Sequence, residues 1–228
     1  IESRYAKAEK AARTSGDRDS KLLFEILKRY KAALEQGKSA RTVEFESKEE
    51  IKMAKELCLL TSKPVLYVCN VDEASAKDGN AYTKQVEKAA KAEGAEMLIV
   101  AAKIESDIAE FESYEEKQLF LSELGLEQSG VARLIQAAYH LLDLQTFLTA
   151  GEQEVKAWTF TRGWKAPQCA GVIHSDFEKG FIRAEVIKYD DYVSLKSEAA
   201  CKEAGKMSVE GKDYLVQDGD IMHFRFNV

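Results

Sequence analysis

The stretch from Trp158 to Tyr192, WTFTRGWKAPQCAGVIHSDFEKGFIRAEVIKYDDY, constrains the fold of this chain more than any other. Turn residues, apolar strands and polar positions sit together there without a helical repeat. Trp158-Thr159-Phe160-Thr161 alternates large apolar with hydroxyl residues, which predicts a half-buried strand. Arg162 to Lys165 reads as a turn, and Ala166 to His174 as a second extended run with Val172 and Ile173 at its end. His174-Ser175-Asp176 reads as a helix entry, in which Ser175 or Asp176 accepts a first-turn N–H. Phe177, Phe181, Ile182, Val186 and Ile187 follow at helical or mixed spacing. Gly180 sits inside that pattern, where it weakens a helix unless a backbone approaches closely. Asp213 to Val228 predicts two strands around an Asp218-Gly219 turn. The sum is a small α+β sheet with one covering helix.

A chain of 228 residues holds one large or two small domains, and 45% hydrophobic with 32% charged residues reads as globular. No apolar run approaches the roughly 20 residues that span a bilayer, and no signal peptide opens the chain. A cytoplasmic protein without membrane contact is the expectation. Cys58, Cys69, Cys169 and Cys201 show no C-x-x-C spacing, and buried free thiols fit them better than disulfides or zinc. The net charge of −6 argues against wholesale nucleic-acid affinity, and DNA is not an expected partner. Residues 1–41 nevertheless carry eleven Lys/Arg against six Asp/Glu. That arm could meet RNA phosphate, or be an ordinary solvated helical face. Ile1 opens in mid-pattern, as a fragment or processed chain would.

Residues 1–14 are good helix formers, interrupted at Ser15-Gly16-Asp17. Ser20 to Glu35 puts Leu23, Ile26, Leu27, Tyr30 and Leu34 on one helical stripe, so the two pieces predict an antiparallel hairpin arm. Ser47 to Glu50 has the form of a capping box and predicts a helix from Lys48 to Leu60. Val65 to Val71 and Met97 to Ala102 read as parallel strands buried on both faces, with a helix from Asn80 to Ala92 between them. Such a βαβ unit binds ligands at the carboxyl ends of its strands. Two further helices, Glu115–Leu126 and Gly130–Leu144, lead through a linker at Gln145–Gly151 to the last domain.

Asn70-Val71-Asp72-Glu73 ends the first strand and Ala101-Ala102-Lys103 the second. P-loop GTPases place N-K-x-D and S-A-K at these two points. There the Asp takes two hydrogen bonds from guanine while the Asn braces the loop. Here Val71 stands where a lysine would stack, and Glu73 replaces the aspartate, so the guanine fork is lost. The plain alternative is a polar loop capping the next helix. No G-x-x-x-x-G-K-[ST] phosphate loop and no D-x-x-G switch occur, so nothing in this stretch cradles a triphosphate.

The strings APQ (Ala166–Gln168), IHSDFEKGFIRAEV (Ile173–Val186), AGKM (Ala204–Met207) and KDYLVQDGDIMHFRFNV (Lys212–Val228) resemble the TGS domain that ends the YchF / Obg-like ATPase family. N-x-x-E in place of N-K-x-D is that family's pattern too. The resemblance implies an α/β plus α+β chain: a helical arm over 1–46, the C-terminal part of a P-loop NTPase Rossmann-like domain over 47–144, and a TGS domain of β-grasp fold over 145–228. It implies a preference for ATP over GTP, with Mg²⁺ in the intact protein. Asn70, Val71, Glu73, Ala101 and Ala102 would then meet the base, the last through its backbone N–H. Ala101 departs from the family's Ser or Cys. The implied partners are the large ribosomal subunit and RNA, and a cleft between arm and TGS domain would accept the RNA. Arg4, Lys7, Lys10 and Arg13 on the arm, with Arg162, Lys165, His174, Lys179 and Arg183, are the candidate contacts. No catalytic residue is expected here, and the chain alone should not hydrolyse ATP.

Other readings stand beside this one. His174 serves as a helix-head hydrogen-bonder or an RNA-facing residue; His140 and His223 read as structural, and no His/Cys/Asp set has metal spacing. Trp158 and Trp164 could stack on bases or pack a core. TGS domains also occur as RNA-contacting regulatory modules without NTPase activity, and a helical hairpin can serve as a protein-binding scaffold.

Overall fold

A computed structural model describes residues 1–14, 16–151 and 154–227. Ser15, within the predicted arm interruption, and Val228, at the end of the predicted last strand, lie outside the described residues. Two compact units divide the chain at Arg133/Leu134.

In the first unit α1 (Glu2–Thr14) and α2 (Arg18–Glu35) pack as a hairpin. Asp17 starts α2 by accepting the Ser20 N–H. The α2 stripe buries Ile26 and Tyr30 against Ala40 and Ala54, the latter on α3 (Lys48–Glu56). Ser47 and Glu50 form the predicted capping box. The helix it starts ends at Glu56 rather than Leu60, because Cys58 takes a left-handed φ of 50° and a separate 3₁₀ turn occupies Leu60–Ser62.

The parallel unit follows as β1 (Leu66–Asn70), α4 (Ala81–Ala92) and β2 (Glu96–Val100). Register runs from Leu66 beside Glu96 to Asn70 beside Val100, so both strands end at one level. Neither strand is buried on both faces as expected. β2 is the only strand paired with β1 among the described residues, and Val68 is 48% exposed. Directly after β2 a helix absent from the sequence reading, α5 (Ala102–Glu110), buries Ile104 and Ile108 against Ala76, Ala101 and Leu121. Leu121 lies on α6 (Tyr114–Glu123), and α7 (Gly130–Leu141) crosses into the second unit.

The second unit is built on a five-stranded sheet ordered β4-β3-β7-β5-β6. β3 (Leu144–Ala150) lies where a linker was expected, and β4 (Val155–Thr161) pairs with it antiparallel. Ala166 to Ile173 is not extended but helical (α8), with buried Ala166, Cys169 and Ala170 at helical spacing. The short α9 (Ser175–Lys179) is capped by the His174 side chain, not by Ser175 or Asp176. Phe181–Ile187 is a strand, β5, whose bulge between Phe181 and Arg183 gave its mixed spacing. Helices α10 (Tyr189–Leu195) and α11 (Glu198–Glu203) lead to β6 (Met207–Glu210). Among the described residues of the predicted terminal hairpin only one strand forms, β7 (Ile221–Phe226), antiparallel to β5 and parallel to β3. Leu215 makes a single bridge to Lys165 in place of the other strand. Phe147, Phe160, Phe181, Val186, Met222 and Phe224 form the core under α8, with Trp158 and Trp164 packed at its margin.

Candidate functional site

The carboxyl ends of β1 and β2 bring the two predicted loops together. Asn70, the last residue of β1, accepts the Ala102 N–H on its Oδ1 at 3.0 Å. Ala102 is the first residue of α5, and its N-cap, Ala101, has no side chain able to cap. Asn70 therefore supplies the missing cap from another element, since an uncapped helix start leaves N–H groups unpaired. Ala101 itself is buried. The Val71 N–H continues the strand by donating to Val100 O at 2.9 Å.

Glu73 begins a 3₁₀ turn, Glu73–Ser75, whose cap is Asp72, a residue the sequence reading placed in the loop without giving it a role of its own. Its Oδ1 accepts the Ser75 N–H at 3.0 Å and fixes the start of the turn. The Glu73 side chain is exposed, and its charge helps hold Lys103 protonated above the usual lysine range. The larger cause of that shift is the hydrogen bond from Lys103 Nζ to Asp107, at 2.5 Å. Glu105 was likewise missed. Its two oxygens accept the Gly130 and Val131 N–H groups at 2.6 and 3.1 Å, capping α7 across 25 residues. Arg133 Nη2 donates to Ile99 O at 2.6 Å, so α7 also grips β2 just before the site. Only spatial proximity reveals such long-range caps. Beside the strand end a concavity of about 360 Å³ is lined by Val68, Asn70, Val71, Asn80, Tyr82 and Thr83.

Several of the candidate RNA contacts already lie against a carboxylate. Arg4, Lys7, Lys10 and Arg13 are exposed along α1, with Arg13 on Glu9 at 2.8 Å. Three residues apart on a helix, neighbouring members of the set share a face, while Arg4 and Arg13 at its ends lie about half a turn apart round the axis. Arg162 is held by Asp143 at 2.8 Å and Lys165 by Asp213 at 2.6 Å. Arg183 lies 3.6 Å from Glu185, which also takes Arg225 at 3.1 Å. Lys179 closes α9 in solvent, and His174 Nδ1 accepts the Asp176 N–H at 3.2 Å. Cys169 and Cys201 are buried, whereas Cys69 is half-buried and Cys58 exposed. Burial and the Asp220 charge push the Cys169 thiol up to about 12, which makes it a packing group and not a nucleophile.

A parallel β–α–β unit with polar groups converging at its strand ends, followed by a separate sheet, defines a mixed α/β protein. A family model described as YchF-GTPase_C, a protein of unknown function, matches residues 144–227. The ribosome-binding ATPase YchF of Bacillus subtilis (strain 168) is 54% identical over 230 residues, covering 100% of this chain and 62% of that protein. Its counterpart in Haemophilus ducreyi is 51% identical over 94% of this chain and 58% of its own length. The solved structure of the Schizosaccharomyces pombe YchF GTPase superposes with a TM-score of 0.85 at 32% identity, over 98% of this chain and 61% of that one. The chain belongs to the YchF family and corresponds to the C-terminal part of its members. It spans about three fifths of the length of the curated relatives it matches.

Proposed function

We propose that this chain supplies the base-reading corner and ribosome-facing module of a ribosome-associated, cytoplasmic ATPase of the YchF type. The observation that carries this is the 3.0 Å bond from the Ala102 N–H to Asn70, which ties the N-x-x-E loop to the A-A-K helix start. That is where a nucleotide-binding α/β unit presents groups to a base. Asn70 acts as the brace, Val71 borders the base plane, and Glu73 accepts from an exocyclic amine, which adenine provides without guanine's N1–H. The first N–H of α5 is shared with Asn70, so the base meets Ala101 and Ala102 at a helix start already drawn against β1. Among the described residues no cluster of three or more His, Cys, Asp or Glu forms a metal-ligand set, so no residue here is assigned to Mg²⁺. The nucleotide itself would supply the reacting phosphates.

The second unit we read as a TGS domain of β-grasp type, since a hairpin, crossing helices and a central parallel pair in the order β4-β3-β7-β5-β6 suit that fold. With the arm it would meet RNA of the large ribosomal subunit. Titration of this chain with adenosine and guanosine nucleotides, followed through the Ala102 amide resonance, tests the base assignment. Adenine should shift that resonance at concentrations where guanine does not. Equal or absent shifts, with ribosome binding retained, would favour the regulatory-module reading.

A further inference from the structure

β4 is an edge strand of the five-stranded sheet. Arg162 N donates to Asp143 O at 2.8 Å and Gly151 N to Glu154 O at 3.0 Å, bonds that flank β4 and set its phase. Even-numbered residues of β4 therefore direct their backbone groups towards β3, and Val155, Ala157, Thr159 and Thr161 direct theirs away. β4 stands at the end of the sheet, and no described residue hydrogen-bonds to the Val155, Ala157 or Thr159 backbone on that side. Val155 is 72% exposed. A long, unpaired edge of this kind accepts another strand.

The strand's own sequence selects the partner. An antiparallel two-fold pair centred on Trp158 sets Val155 opposite Thr161 and Ala157 opposite Thr159, so outward N–H and C=O groups meet outward groups. In the same register Glu154 faces Arg162 at both ends, and Lys156 faces Phe160. Sliding the pair by one step towards the carboxyl end would set Lys156 against Arg162, and sliding it the other way would set Glu154 against Phe160. Backbone phase and charge thus agree on one register. We infer that β4 is a self-complementary edge through which two copies of this chain join their five-stranded sheets.

Sedimentation equilibrium of the chain over a wide concentration range tests this. The mass should rise from 25.5 kDa towards twice that value as concentration increases. Glu154→Arg alone should weaken association about tenfold, because it sets like charges opposite at both ends, and Arg162→Glu alone should do the same while also giving up its ion pair with Asp143. The double exchange E154R/R162E should restore it. Ala157→Pro removes an outward N–H while leaving the β3 ladder intact, so it should abolish the dimer with an unchanged melting temperature. A monomer at every concentration would overturn the inference. So would a dimer indifferent both to the charge exchange and to the proline.

Discussion

Asn70 and Ala102 are 32 residues apart in sequence, yet the carboxamide of one caps the helix begun by the other. The capped helix starts at the end of β2, so one side chain fixes the relative positions of both loops at the crevice. Asn70→Ala should leave the Ala102 N–H without a protein partner at a cost of about 1 kcal/mol. Amide hydrogen exchange at Ala102 should quicken several-fold while exchange in α2 stays unchanged. Asn70→Asp keeps the acceptor and should keep the protection. Unaltered exchange in the alanine variant would refute the capping role.

The capping box of α3 gives a prediction with a pH dependence. Ser47→Ala removes the oxygen that accepts the Glu50 N–H at 3.1 Å and should cost about 1 kcal/mol. The Ser47 backbone N–H, bonded to Glu50, holds that carboxyl below its usual range, and the Arg29 charge adds to the effect. A depressed carboxyl stabilises the fold above its unfolded value of about 4.5, and the stabilisation fades as pH falls through the folded-state value. Glu50→Gln should therefore flatten the acid limb of the stability curve. Urea melts between pH 6 and pH 3, wild type against variant, would show this.

The elements legible in the sequence were those whose signals lie within them. Ser47 announces its helix locally and caps it as expected, whereas Asp17, read as part of an interruption, and Asn80, read as the first helical residue, are the caps of theirs. Helix α5 was hidden because its cap lies on β1 and its first residues continue the small apolar run of β2. The strand β3 looked like a linker because its place between β4 and β7, not its own composition, makes it central. Val172 and Ile173 drew α8 towards an extended reading, while the buried Ala166, Cys169 and Ala170 carried the real period. At the crevice the residue types at the strand ends were readable and Asp72 caps a turn three residues on by a local signal, whereas Glu105 acts through backbone groups that only the fold brings near.

Gly180 packs against backbone, as its place in the pattern suggested. Its carbonyl accepts the Asn227 N–H at 2.9 Å, and a Cβ built on Gly180 would overlap the Asn227 carbonyl. Because the clash is with backbone, no rotamer change relieves it. Gly180→Ala should destabilise the second unit by about 1–3 kcal/mol, the usual range for overpacking. A lowered melting temperature with loss of the Asn227 amide protection is the expected result, and a neutral variant would contradict the geometry.

Lys188 and Asp220 define the last prediction. Asp220 is fully buried, and its oxygens take Lys188 Nζ at 2.6 Å, the Tyr214 hydroxyl at 2.7 Å and the Gln217 N–H at 2.9 Å. These bonds close the turn that leads into β7, where Leu148 N also donates to Asp220 O at 2.8 Å. Burial pulls the Lys188 ammonium down, but the Asp220 and Tyr214 hydrogen bonds outweigh it and leave its pKa above 10.5. A raised lysine stabilises the fold fully below its unfolded pKa, and that contribution disappears as pH climbs through the folded value. Stability should thus decline on the alkaline side above about pH 10.5, and Lys188→Met should shrink that decline without abolishing it, because burial also raises the Tyr30 and Tyr214 hydroxyls. Asp220→Asn keeps the shape but loses the charge, and should cost about 1–3 kcal/mol, since Lys188 is half exposed and can turn to water. Guanidinium melts from pH 7 to pH 11 on the three proteins separate the outcomes. An alkaline limb undiminished in the Lys188 variant would place its origin elsewhere.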